Sequence, residues 1–298
     1  MMRKKKGLKL DGWLIIDKPP GLTSAHVVAK VKRMTQAAKI GHAGTLDPLA
    51  TGILPLALGE ATKTVSYAMD GAKTYRFTVR WGEGRDSDDS EGAVTQTSDA
   101  RPDRAAIEAA LPGFRGDIMQ VPPVYSALKV DGERAYDLAR RGEAPVLEAR
   151  PIRIDRFDLI DMPDADHAVF EVDCGKGSYI RALARDLGAV LGCYGHIVAL
   201  RRTRVGPFRE EQAFSLEKLG ELWENPPSSD TLLPVETALD DIPALAVTGP
   251  QADRLRSGQE IRVIHRDDGI SRVMNAGTLV ALAEIEDGCV RPVRVFNL

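Results

Sequence analysis

Cysteine is scarce: the 298-residue chain has three, Cys174, Cys193 and Cys289, far apart in sequence. That excludes a disulfide scaffold and any cysteine-based metal spacing, and it fits a reducing compartment in which the thiols are buried as small hydrophobes. Histidine is equally thin, and His26, His42, His167, His196 and His265 share no ligand spacing. No run approaches the roughly 18 apolar residues that a membrane span needs. Arg3-Lys4-Lys5-Lys6 has no apolar stretch behind it, which speaks against a signal peptide. A soluble, cytoplasmic chain is expected. Several catalytic signatures are also missing. Gly175-Lys176 is followed by Gly177 rather than Ser or Thr, so there is no Walker A pattern. No Gly-x-Gly-x-x-Gly follows a strand pattern, and neither His-Glu-x-x-His nor Gly-x-Ser-x-Gly occurs. Metal, nucleotide-cofactor and serine-triad chemistry therefore lack support, and a carboxylate-centred reaction is the economical alternative.

Net charge is low as well, at −3, so no global field announces a nucleic-acid partner. Its distribution is uneven. Seven Lys/Arg (176, 181, 185, 201, 202, 204, 209) stand against Asp186 alone between 176 and 209, whereas nine acids face only Lys218 between 210 and 241. A local basic face on a near-neutral chain is compatible with a phosphate backbone, and a solvated mixed face is the commoner outcome of a charge run.

The densest stretch is Gly41-His42-Ala43-Gly44-Thr45-Leu46-Asp47-Pro48-Leu49-Ala50-Thr51-Gly52. Its glycines permit tight turns and close backbone approach, and Pro48 confines Asp47 to extended conformations. Turn chemistry alone explains Gly, Asp and Pro. The apolar flanks, Ile40 before and Ile53-Leu54-Pro55-Leu56 after, imply instead a loop that leaves and re-enters a core.

This loop closely resembles the active-site loop of the tRNA pseudouridine-55 synthases, the TruB family. Further blocks resemble the same family in the same order: Asp17-Lys18-Pro19-Pro20-Gly21-Leu22-Thr23-Ser24, Gly59-Glu60-Ala61-Thr62-Lys63, Lys73-Thr74-Tyr75, Pro122-Pro123-Val124-Tyr125-Ser126-Ala127-Leu128-Lys129 and Lys176-Gly177-Ser178-Tyr179-Ile180-Arg181. Departures are small: Ala43 and Ser178 stand where Thr is common, and Arg85 where Thr is typical.

The resemblance implies isomerisation of uridine to pseudouridine in the T loop of tRNA. The N1–C1′ bond breaks, the uracil turns, and C5 rejoins the sugar, with no redox change and no cofactor. By resemblance Asp47 is the catalytic carboxylate, acting as a nucleophile or as a base on the ribose. Arg181 would keep it ionised; read by itself, Arg181 is an exposed member of a helix face. The target base must be flipped out of the RNA stack. Tyr75, Tyr179 and Leu200 occupy the family positions that cage it, His42 fills the vacated stack, and Tyr75 relays the C5 proton. Without the resemblance, Tyr75 and Leu200 read as core residues. Lys18 and Pro19 match a motif near the pocket floor, with Lys18 as a possible phosphate contact or an ordinary solvated lysine. The partner implied is tRNA, through its T-arm stem-loop, bound by a monomer with no membrane and no small-molecule cofactor. A non-catalytic tRNA-folding chaperone of the same fold, and a nucleoside glycosidase that liberates uracil, are the competing readings.

Along the chain, residues 1–10 read as a basic disordered lead. Residues 13–16 form a short strand, and Thr23 or Ser24 caps a helix that buries Val27, Val28, Val31 and Met34. Alternation from Thr74 to Trp81 reads as a half-buried strand, and 82–92 as an acidic loop before a strand near 93–97. Asp103 caps a helix that Pro112-Gly113 stops. A hairpin is expected around Asp131-Gly132, then a short helix from Ala135. The Ile152/Ile154 and Phe157/Leu159 pairs imply a strand with a mid-strand shift. Ser178 caps an amphipathic helix through Leu191, and 197–205 is a strand. Asn225-Pro226-Pro227-Ser228-Ser229-Asp230 is the linker candidate. Short strands beyond Pro243 form a β-rich module, similar to PUA-like RNA-contacting domains. The expected architecture is α+β: a pseudouridine synthase domain over 11–236, with a mixed, mostly antiparallel sheet flanked by helices, and a PUA-like module over 237–298.

Overall fold

Two compact units share the chain, and neither is a continuous piece of it: one comprises 1–48, 53–69 and 206–298, the other 49–52 and 70–205. The computed structural model describes residues 7–126, 128–130, 132–143, 145–224, 231–264 and 267–298. The basic lead at 3–6, Asp131 of the expected hairpin turn, the 225–230 linker and His265 lie outside the described residues.

In the first unit, Trp13, Leu14, Ile15 and Ile16 are all buried in the strand Gly12–Lys18, a run without polar alternation that is covered on both faces. Its neighbour is Thr51–Leu58, whose later residues pair antiparallel with the short strand Ile40–His42. The helix Ser24–Thr35 begins where the Thr23 hydroxyl accepts the His26 N–H at 3.1 Å. Val27 and Val31 are buried against Leu14, Ile16, Leu54 and Leu56, together with Leu219 of the helix Leu216–Glu224. Val28 lies at the rim of that cluster, and Met34 is exposed rather than buried, because the apolar stripe is only one residue wide at that turn.

The same unit holds a five-stranded C-terminal sheet in the order Ala244–Ala246, Gly269–Asn275, Thr278–Glu286, Cys289–Val295 and Ile261–Arg262. The helix Gly249–Arg256 covers the sheet with Ala252 and Leu255, an element the β-rich reading omits. Pro250 at its start and the capping pair Thr248/Gln251 are the local signals for it.

The second unit is a mixed sheet. The first two residues of Thr51–Leu58 run parallel to Gly195–Val205, through Thr51 with Arg201 and Gly52 with Arg202. Antiparallel pairings then continue through Lys73–Trp81, His167–Cys174, Arg150–Asp161 and Gly116–Gln120. Alternation on Lys73–Trp81 directs Phe77, Val79 and Trp81 inward, where Phe77 and Phe157 both meet Phe170, with ring centroids 5.5 and 5.4 Å apart. The mid-strand shift in Arg150–Asp161 is a bulge between Ile154 and Arg156, so Ile152, Ile154 and Phe157 are all buried despite their odd spacing. The acidic loop contains a strand of its own, Glu83–Arg85, paired with Val94–Thr97. Asp103 caps Arg104–Ala110, accepting from the Ala106 N–H at 2.8 Å. The hairpin strands Lys129–Val130 and Glu133–Arg134 pair as expected.

The helix Ile180–Val190 buries Ile180, Leu183 and Leu187 and starts with Tyr179 at its N-cap. Ser178 does not cap it; its hydroxyl donates back to the Gly175 carbonyl at 3.2 Å. All three cysteines are buried and free, and no described helix is long and apolar enough to cross a membrane.

Candidate active site

Asp47 sits half-buried between two residues whose backbones are clamped. Before it, Leu46 gives its N–H to the Ser24 hydroxyl at 2.8 Å, and that hydroxyl donates to the Leu46 carbonyl at 3.1 Å. After it, the Pro48 carbonyl accepts from the Gly21 N–H at 2.8 Å and from the Lys18 ammonium at 3.1 Å. Pro48 removes one donor and one rotatable bond from the same stretch. The Lys18 ammonium also donates to the carbonyls of Pro19 at 2.9 Å and Leu22 at 2.7 Å. Lys18 is fully buried, with its ammonium under the loop, where carbonyl dipoles replace its water. Residues 17–24 thus form the bed on which 46–48 is fixed. Pro19 and His42 are both half-buried; His42 lies on Ile40–His42 opposite Leu56, and the next residue, Ala43, gives its N–H to the Pro55 carbonyl at 2.9 Å.

The second unit carries the other sequence-derived residues. Tyr75 is half-buried on Lys73–Trp81, opposite Val172 on one side and Arg202 on the other. Leu200, on the adjacent strand, is buried opposite Phe77, and its carbonyl accepts from the Thr51 hydroxyl at 3.4 Å, four positions along the chain from Asp47. Two residues before Tyr75, Lys73 is buried with its ammonium on the Gly71 carbonyl at 2.6 Å; burial pulls its pKa down to about 8. Tyr179 is held by its backbone. Its N–H donates to the Gln120 side-chain oxygen at 2.8 Å, and its carbonyl accepts from the Gln120 amide nitrogen at 3.1 Å.

Arg181 is buried at 5 % exposure, not a member of a solvated face. Its guanidinium donates to the Ser87 carbonyl at 2.9 Å and the Tyr125 carbonyl at 2.8 Å, with the Asp89 carboxylate 3.5 Å away. Asp89 accepts from the Ser87 hydroxyl at 2.6 Å and the Glu91 N–H at 3.0 Å, so a lone acidic stretch in sequence becomes an internally bonded turn. Arg202 is buried as well, and Lys176, Arg185 and Arg204 are each within ion-pair distance of an acid: Asp70, Asp88 and Asp173. The expected basic face is therefore largely neutralised inside its own unit. Ser24, Gln120, Ser87 and Asp89 are the residues that sequence reasoning missed as positioning groups. None of the four carries a local signal: Gln120, for one, is the buried last residue of the otherwise half-exposed strand Gly116–Gln120.

The mixed sheet with its flanking helices is the fold of the pseudouridine synthases. A solved structure described as an H/ACA RNP bound to a substrate RNA containing 2′-deoxyuridine shares the fold with a TM-score of 0.75, at 23 % identity over 96 % of this chain and 85 % of that one. The chain belongs to the TruB family: the model of the TruB pseudouridylate synthase N-terminal domain matches 32–180, and that of the tRNA pseudouridylate synthase B C-terminal domain matches 181–240. Among its relatives are proteins named tRNA pseudouridine synthase B. The one from Gluconacetobacter diazotrophicus is 57 % identical over 99 % of this chain and all of its own length. That from Brucella anthropi is 50 % identical over 99 % and 98 %.

Proposed function

We infer that this enzyme converts uridine to pseudouridine in tRNA, at position 55 of the T loop, on a base flipped out of the RNA stack. The observation that carries the reading is the fixing of Asp47, a half-buried carboxylate with clamped neighbours on both sides. A carboxylate in a rigid setting is prepaid in orientation, which is what attack on a glycosidic carbon, or abstraction of a ribose proton, requires. Relatives named for tRNA pseudouridine formation, matched along their whole length, support tRNA as the substrate. Arg181 supplies the guanidinium of the reaction, Tyr75, Tyr179 and Leu200 cage the base, Tyr75 takes up the C5 proton, and His42 occupies the gap left in the RNA. Lys18 and Pro19 support the loop rather than the RNA. The rearrangement loses no atoms and no electrons, so it needs no cofactor. The enzyme acts as a monomer in the cytoplasm, and its C-terminal module contacts RNA.

Release of tritium from C5-labelled uridine in a T-arm stem-loop tests this directly. Wild type should release it quantitatively, and Asp47→Asn should release none while still binding the stem-loop. Undiminished release by Asp47→Asn refutes the assignment, and free uracil among the products would make the protein a glycosidase. Arg181→Met should depress turnover far more than affinity.

A further inference from the structure

Arg185 stands one helical turn after Arg181 and repeats its pattern of contacts. Arg181 reaches the acidic loop at Ser87 and Asp89, and the 121–126 segment at Tyr125. Arg185 reaches the same two segments: its guanidinium donates to the Asp88 carboxylate at 2.9 Å and to the Val121 carbonyl at 2.8 Å, with a third bond to Asp186 at 2.8 Å. Positions four apart on a helix lie on one face, so the two arginines form a pair of parallel staples. The middle of the acidic loop is also unusual. Asp88 is buried with φ of +60°, a left-handed conformation that few side chains tolerate and that Asp and Asn adopt most readily. Through that twist its carbonyl accepts from the Ile197 N–H at 3.1 Å while its carboxylate turns to Arg185. Ser90 then gives its N–H to the Ile197 carbonyl at 3.0 Å. The loop that presents the Ser87 carbonyl and Asp89 to Arg181 is thus held from behind by the Asp88–Arg185 pair.

We propose that Asp88 and Arg185 are positioning residues for the isomerisation, acting through Arg181 by holding the acidic loop and the 121–126 segment at the distances its guanidinium spans. The proposal rests on the reading of Arg181 as a reaction residue. Burial raises the Asp88 carboxyl to about 6. The charged groups acting on it are Arg185, Arg181 and Asp186 on the helix; Arg85, Asp86 and Asp89 share its loop, and His196 precedes Ile197 on the strand. Protonation of Asp88 then removes the ion pair, and the neutral isostere Asn reproduces that state with a backbone preference suited to φ +60°.

The test is tritium release from the T-arm stem-loop, with kcat, KM and stem-loop Kd measured from pH 5 to 8 for wild type, Asp88→Asn, Arg185→Met and the double variant. Each single variant should lose about ten- to a hundredfold in kcat, the scale of a small misplacement of a reacting group, with Kd within about twofold. The double variant should fall no further than the worse single one, as expected for a coupled pair. Wild-type kcat should decline as pH drops through about 6, and Asp88→Asn should lack that limb, a difference that mere loss of stability would not produce. Single variants with wild-type kcat and an intact acid limb, or losses that add in the double variant, overturn the proposal. If Asp88→Asn fails to fold, Arg185→Met carries the same kcat test. A wild type that releases no tritium refutes the reaction itself, and so is distinguishable from failure of the pair.

Discussion

Ser24→Ala isolates the clamp on Asp47. The Ser24 hydroxyl is the partner of both the Leu46 N–H and the Leu46 carbonyl, and both residues are nearly fully buried, at 2 % and 4 % exposure. Alanine leaves two buried backbone groups without that partner, at about 1–3 kcal/mol each. Alanine at the first position of the helix returns only about 0.5 kcal/mol in propensity. The net local loss is then about 1.5–5.5 kcal/mol. It falls on the residue before Asp47, the carboxylate proposed to react, so kcat for tritium release should drop about ten- to a hundredfold with KM little changed. Hydrogen exchange at the Leu46 amide reports the local loss, since opening costs less once the hydroxyl is gone. Thr23→Ala is the control: it removes the helix cap at His26 and about 1 kcal/mol of stability, and it leaves the clamp alone. Wild-type protection of Leu46 in Ser24→Ala, or equal turnover loss in both variants, would refute the idea that one hydroxyl fixes the loop.

Three further outcomes are expected. In Gly52→Ala, the new Cβ would stand 2.1 Å from the Arg202 carbonyl oxygen at φ +93°, so the parallel pairing must give way; a loss of more than about 3 kcal/mol should show as a lowered denaturation midpoint, and a wild-type midpoint would contradict the close approach. Asp88 is protonated up to about pH 6 in the fold but only to about 3.8 by its ordinary value, so the folded state holds more protons between those limits and stability falls as pH rises through them. Asp88→Asn should therefore raise the unfolding free energy measured with urea at pH 7.5, by at most about 3 kcal/mol, and flatten its dependence between pH 4 and 6; a lower unfolding free energy at pH 7.5 contradicts this. Exposed Lys176 should contribute about one phosphate contact, so Lys176→Ala should reduce the slope of log affinity against log salt by about 1. Buried Arg202→Met should leave that slope unchanged and lower stability instead.

What was legible in the chain was whatever a short pattern can encode. Alternation marked Lys73–Trp81, side-chain oxygens marked the caps at Thr23 and Asp103, and the broken spacing of Ile152, Ile154 and Phe157 marked the bulge. The Asp47 loop stood out because its residue types are rare together. Its support did not, because Ser24 meets Leu46 across 22 residues and Lys18 meets Pro48 across 30, and no local pattern specifies such a meeting. The counter-ions of the basic run between 176 and 209 were hidden for the same reason: Asp70, Asp88 and Asp173 lie elsewhere in sequence and become neighbours only through the fold. The left-handed twist at Asp88 was invisible because an aspartate gives no sign of its φ.

The bulge between Ile154 and Arg156 also limits how the gene can drift. Deleting the extra residue would only straighten the strand with Phe157 still inward, whereas removing a codon elsewhere in the strand, with the bulge kept, would shift the phase by one and swap every later side chain on that edge. Phe157 would then turn to water, and the residues flanking it, Arg156 and Asp158, would be driven toward Phe77 and Phe170. Length variation among descendants of this sequence should therefore be tolerated at the turns flanking Arg150–Asp161 and selected against within it.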